Sequence, residues 1–153
     1  MNTKDFEEIW VYQFWATERM FEHLSTLTKV PDKANALLCH IINAMDIWLS
    51  RLNKRKQRFG LFEVRDFKSN RDAYLVLRDE LMTEIVKKND LEELISYNST
   101  EGQPYKSLRK EIYYHMSNHN AYHLAQINML LSQSSLKPVS IDYIVFTRRN
   151  AQG

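Results

Sequence analysis

The chain has 153 residues, of which 44% are hydrophobic and 26% charged, with a net charge of +2. That length suits a single domain, 1–153, around one core, and the balanced charge gives no dense basic face for nucleic acid. No run approaches the roughly 18 apolar residues of a membrane span, and only 3 glycines and 3 prolines argue against a turn-rich all-β fold and for long helices.

Residues 5–27 carry Phe6, Ile9, Trp10, Phe14, Met20, Phe21 and Leu24 at steps of three and four, which predicts a first helix. Val30-Pro31-Asp32 interrupts it: the proline disfavours helix at Val30, and Asp32 is placed to cap the next. A second helix is expected over residues 33–55, with Leu37, Leu38, Ile41, Met45, Trp48 and Leu52 as its stripe. Its basic end, Arg51 to Arg58, fits a solvated helix terminus, where cations complement the dipole; anion binding is the sharper reading. A loop over residues 59–68 follows, and Ser69 with Asp72 three residues on is read as the cap of a third helix reaching Asn89.

Residues 96–105, Ser-Tyr-Asn-Ser-Thr-Glu-Gly-Gln-Pro-Tyr, are rich in turn formers and read as an extended crossover or a short hairpin. Helix resumes over residues 107–132, and a short apolar stretch, 141–146, lies beyond Pro138. Four long helices in this order predict an all-α antiparallel four-helix bundle. Cys39 is the only cysteine. It excludes an internal disulfide and a multi-cysteine zinc site. Residues 1–8 do not read as a signal peptide, so a cytoplasmic location is expected.

Chemistry concentrates in the histidines: His23, His40, His115, His119 and His123. Three of them fall on the fourth helix at steps of four, which places them on one face. Two histidines one turn apart can share a metal ion. His115 and His123 are roughly 12 Å apart along the axis, too far to share one. With Ile112 set at zero and about 100° per residue, His119 and His123 fall near −20° and 20°, in the middle of the expected core stripe, and His115 towards its edge. Gln126, at roughly −40°, is close enough to support a ligand or contact a substrate. Buried imidazoles need partners, and a metal supplies one for each ring; satisfied core histidines are the plainer alternative. A third ligand must come from another helix, and periodicity does not choose between His40 and His23.

The segment Tyr114-His115-Met116-Ser117-Asn118-His119-Asn120-Ala121-Tyr122-His123-Leu124-Ala125-Gln126-Ile127 resembles the signature of the DinB family, the damage-inducible-protein-like metalloenzymes of the DinB/YfiT-like four-helix-bundle superfamily. Tyr12-Gln13-Phe14-Trp15-Ala16-Thr17, His40 followed by Trp48, and the tail from Ile141 to Phe146 are similar in the same order. The resemblance implies a four-helix bundle with an open metal site on His40, His119 and His123, and a homodimer. It also implies a small-molecule substrate, since relatives in the wider superfamily use such a site to activate low-molecular-weight thiols for S-transfer or isomerisation. Leu124 and Ala125 replace the family's Arg-Gly, and Thr17 its Asn.

Three histidines with a fourth position open is a catalytic layout rather than a structural one. Zinc and nickel both suit imidazole. The layout leads to a divalent-metal-dependent enzyme, and the resemblance implies thiol S-transfer as its reaction, with Gln126 as the catalytic-residue candidate and Asn43, Tyr122 and His115 as further groups near the open position. Metal-assisted hydrolysis and a non-catalytic metal-holding stress protein are the rivals. DNA binding, suggested only by the family's name, conflicts with the charge.

Overall fold

A computed structural model describes residues 1–150. Its elements in chain order are α1 (Thr3–Ser25), α2 (Asp32–Asn53), α3 (Phe67–Lys87), β1 (Leu94–Asn98), β2 (Pro104–Leu108), α4 (Arg109–Gln133) and α5 (Tyr143–Arg148). The chain is mostly helical with a small two-stranded sheet, so the all-α expectation is corrected by the hairpin. Among the described residues, no helix is long and apolar enough to cross a membrane.

The helix ends follow local chemistry. The Asn2 side chain accepts from the Asp5 amide at 3.1 Å, and Asp5 accepts from the Asn2 amide at 2.6 Å, a reciprocal cap that starts α1 before Asp5. Pro31, not Asp32, stands at the N-cap of α2. Its fixed φ leads the chain into the helix without a side-chain bond. Asp66 caps α3, accepting from the Ser69 amide at 2.9 Å. Ser69 is therefore inside that helix, its hydroxyl donating back to Asp66 at 2.7 Å.

Helix α2 packs on α3 and α4, and α1 packs on the same two. One buried cluster runs between them, from Phe6 to Leu131. Trp10, Tyr74, Tyr113, Phe6 and Phe21 are fully buried in it, and the two phenylalanines each contribute roughly 1.5–3 kcal/mol through removal from water. The α1–α4 seam is polar: Asn120 donates to the Gln13 carbonyl oxygen at 2.6 Å and to Thr17 at 3.2 Å, and Gln13 donates to Ser117 at 3.3 Å. These bonds satisfy side chains that would otherwise be costly inside.

In the hairpin, Leu94 pairs with Leu108 and Tyr97 with Tyr105. Alternation drives it: Ile95 faces the core while Leu94 and Ser96 are exposed. Gly102, at φ +87°, supplies the left-handed turn that a side chain would strain. Beyond α4 the chain returns along α1. Tyr12 donates to the Ile141 carbonyl at 2.8 Å and Arg19 to that of Ser140 at 3.1 Å. Phe146 of α5 packs edge-on against Tyr12 and Trp15.

Candidate metal centre

The buried side of α4 is Ile112, Tyr113, Met116, Ser117, Asn120, Leu124, Ile127 and Leu131. Its centre lies near 80° from Ile112, not near zero. His119 and His123 therefore sit at the margin of the core face rather than in its middle, half-buried where α4 meets α2. The rotation comes from Ser117 and Asn120, which turn inward to meet Gln13 and Thr17.

His40 comes to the same margin from α2. One ligand atom from each of His40, His119 and His123 lies within 4.8 Å of the other two. His40 Nε2 and His119 Nε2 are 3.2 Å apart. Two imidazole nitrogens held at 2.0–2.1 Å by a tetrahedral ion would be about 3.3 Å apart, so the spacing fits a metal with little movement. The outer nitrogens have partners. His40 Nδ1 lies 3.3 Å from the Leu61 carbonyl, and His123 Nδ1 lies 2.6 Å from Gln126 Oε1. Both partners are acceptors, so each Nδ1 carries a proton and Nε2 is the nitrogen left to face a metal. The donor set is three imidazole nitrogens, which suits zinc or nickel.

His119 is the most perturbed of the cluster. Burial, then the neighbouring rings of His123, His40 and His115, push its pKa down to about 3. Burial likewise lowers His40, assisted by His123 and opposed by the Leu61 carbonyl. In metal-free protein, the unfolded chain binds a proton at His119 between about pH 6.5 and 3 that the folded chain refuses. Stability is thus expected to be full above that window and to fall as pH drops through it. The loss at this one site is on the order of 1–2 kcal/mol, because the ring still meets solvent on one side. Urea unfolding of metal-free protein and of His119→Ala at pH 7.5 and 5 checks this; equal pH slopes would refute it.

The other sequence candidates separate. Gln126 supports His123 from behind. His115 is outside the three-ligand group but borders it, lining the same cavity with its ring 5.9 Å from that of His119 and edge-on to Trp48 at 5.2 Å. His23 is elsewhere, its Nε2 2.5 Å from the Lys137 carbonyl. Asn43 donates to the carbonyls of Leu61 and Glu63 at 3.1 and 2.8 Å, so it builds the loop between α2 and α3. Tyr122 is exposed, with its ring 5.0 Å from that of His123. Cys39 is buried, its thiol 3.5 Å from the Arg65 carbonyl.

Two segments border the cluster. From the α2–α3 loop, Phe62 stacks on His40 at 5.4 Å and 10°. From the hairpin, Tyr97, Ser99, Thr100 and Tyr105 close a cavity of about 370 Å³ that opens against His40 and His119. Arg51, Phe62 and Tyr97 were not legible as site residues. The basic run around Arg51 was the one signal, and it also fitted a helix end.

Fold and site together define a helical protein with a three-histidine cluster able to hold a metal ion. The sequence profile of the DinB family matches residues 1–152. The chain therefore belongs to the DinB family. No curated protein matches it.

Proposed function

We propose that this chain is one DinB-type antiparallel four-helix bundle acting as a divalent-metal-dependent enzyme, which transfers the sulfur of a small thiol to an electrophile. The observation that carries the reading is the cluster itself: three imidazoles at metal spacing, beside a cavity of about 370 Å³. His40, His119 and His123 would hold zinc or nickel. When bound, the ion lowers the pKa of a thiol or water at its open position.

The protein's own groups do the rest. Leu61 and Gln126 fix the rings of His40 and His123. Phe62 shields the outer side of His40. Trp48, Tyr97 and Tyr105 give the cavity aromatic walls. In the transfer, the thiol proton leaves to solvent, a carbon–sulfur bond forms and the electrophile's leaving group departs with its electron pair. Among the described residues lining the cavity none is a carboxylate, which favours thiol transfer over hydrolysis assisted by a carboxylate base.

The test uses tag-free protein loaded with zinc or nickel, given small thiols and monochlorobimane. Thioether formation well above that of metal-free protein is expected. Bound metal without turnover across the thiol panel would leave a metal-holding protein and refute the enzyme. Gln126→Ala is expected to weaken metal affinity about 10–100-fold, as loss of a ligand's supporting hydrogen bond does. Competition with a chromogenic chelator measures it, and unchanged affinity would mean that Gln126 does not orient His123.

A further inference from the structure

Arg51 is unlike its basic neighbours. Arg55 pairs with Asp46 at 2.8 Å and Glu80 at 2.6 Å, and Arg58 reaches Glu80 at 3.4 Å. Among the described residues no carboxylate pairs with Arg51. Its guanidinium lies over the rings of Trp48 and Tyr97, at 4.3 and 4.8 Å. Its single hydrogen bond within the protein runs from Nη2 to the Asn98 carbonyl at 3.0 Å. The group is half-buried and lines the cavity beside the histidine cluster. Burial lowers its pKa, whereas at Arg55 the Glu80 and Asp46 carboxylates more than offset burial. A positive charge has thus been taken partly out of water with no counter-charge, inside a cavity without carboxylates.

We propose that Arg51 is the anion-recognition residue of this cavity, and that the ligand is an elongated thiol with a carboxylate at the end remote from its sulfur. The aromatic clamp holds the guanidinium flat. The second Nη2 hydrogen, paired with the adjacent N–H of Nε or Nη1, leaves one edge of the guanidinium to meet a carboxylate, whose two oxygens match a pair of parallel N–H groups. Length follows from α2. His40 and Arg51 are eleven residues apart on that helix, about 16 Å of axis and three turns, so both face the same side. Arg51 folds back over Trp48, shortening the gap by about one turn without closing it. A ligand spanning sulfur site and cation needs several bonds between thiol and carboxylate.

This inference rests on the proposed thiol chemistry, so one arm of the test avoids the metal. Cobalt-loaded protein is titrated with 6-mercaptohexanoate and with 6-mercapto-1-hexanol, the sulfur-to-metal absorption band reporting binding. The acid is expected to bind at least tenfold more tightly than the alcohol. Arg51→Gln should abolish that preference while retaining cobalt, and Arg51→Lys should keep part of it. Metal-free protein is titrated with hexanoate and 1-hexanol, followed by the Trp48 indole resonance. The same preference and the same dependence on Arg51 are expected. Equal affinities in the wild type, or a preference that survives Arg51→Gln, would overturn the role of Arg51 even if metal binds well. Failure to load cobalt would count against the metalloenzyme, and the metal-free arm would still decide Arg51.

Discussion

Replacing His119 with alanine is expected to lower zinc or nickel affinity by on the order of 10³-fold or more, because two imidazoles and solvent remain where three imidazoles converged. The three rings are mutual neighbours: that of His119 is 5.0 Å from that of His40 and 4.4 Å from that of His123, and those two are 4.7 Å apart. His40→Ala and His123→Ala should fall in the same range. His23→Ala is the internal control: its ring bonds the Lys137 carbonyl on the far side of α1, so affinity should stay within about twofold, as for a residue with no shared partner. Calorimetry or chelator competition at pH 7.5 measures all four. Equal affinity for His23→Ala and His119→Ala would mean that metal binds non-specifically, and the cluster would be three packed imidazoles. Metal-free His119→Ala should also lose less stability than wild type between pH 7.5 and pH 5, since the group that refuses a proton is gone. A variant that has lost its metal and gained acid resistance cannot be explained as simply misfolded.

The long helices and the cluster residues were legible because both depend on near neighbours in sequence. Helical periodicity marks α1 to α4, and a four-residue step brings His119 and His123 to one face. His40 was not separable from His23 by pattern, since that choice depends on how α2 lies against α4. Resemblance to the DinB family made it. The orientation of α4 was misread because apolar spacing ignores Ser117 and Asn120, whose burial is possible only with Gln13 and Thr17 opposite, more than a hundred residues away in the chain. The hairpin was one of two readings of a run of turn formers, and pattern did not choose it because Ile95 is the one side chain of its first strand that is fully buried. Arg51 looked like an ordinary helix end because its meaning depends on Tyr97, which reaches it only when the hairpin folds over α2.

The hairpin is in turn anchored by a buried ion pair, and breaking it is expected to be the most damaging single change to stability. Arg109, at the start of α4, bonds Glu84 of α3 with both side chains almost fully enclosed, and its second nitrogen reaches Glu93 at 2.5 Å. The Arg109 amide donates to the Glu93 carbonyl at 2.9 Å, so the same residue pins the chain just before β1. Burial raises the pKa of Glu84, and Arg109 is the main influence opposing it. Arg109→Met should therefore cost about 3–5 kcal/mol, because a carboxylate is left enclosed without its cation. The loss should depend on pH. With Arg109 absent, the folded pKa of Glu84 rises further above its unfolded value. Stability is then retained at low pH, where Glu84 is protonated in both states, and is lost as pH rises through the folded pKa. The gap between wild type and variant should be wider at pH 8 than at pH 5. Removing both charges in Arg109→Met with Glu84→Leu should recover much of the stability, since well-packed apolar groups replace a buried pair at little cost. Urea titrations of the three proteins measure this. If the double variant is no more stable than Arg109→Met, the damage lies in lost packing or in the Glu93 contact rather than in an unpaired charge. If the single variant shows no pH dependence, Glu84 is not the group left behind. Because the hairpin carries Tyr97 and Tyr105 to the cavity, Arg109→Met should also weaken ligand binding there while the three histidines still hold their metal, separating the wall of the site from its centre.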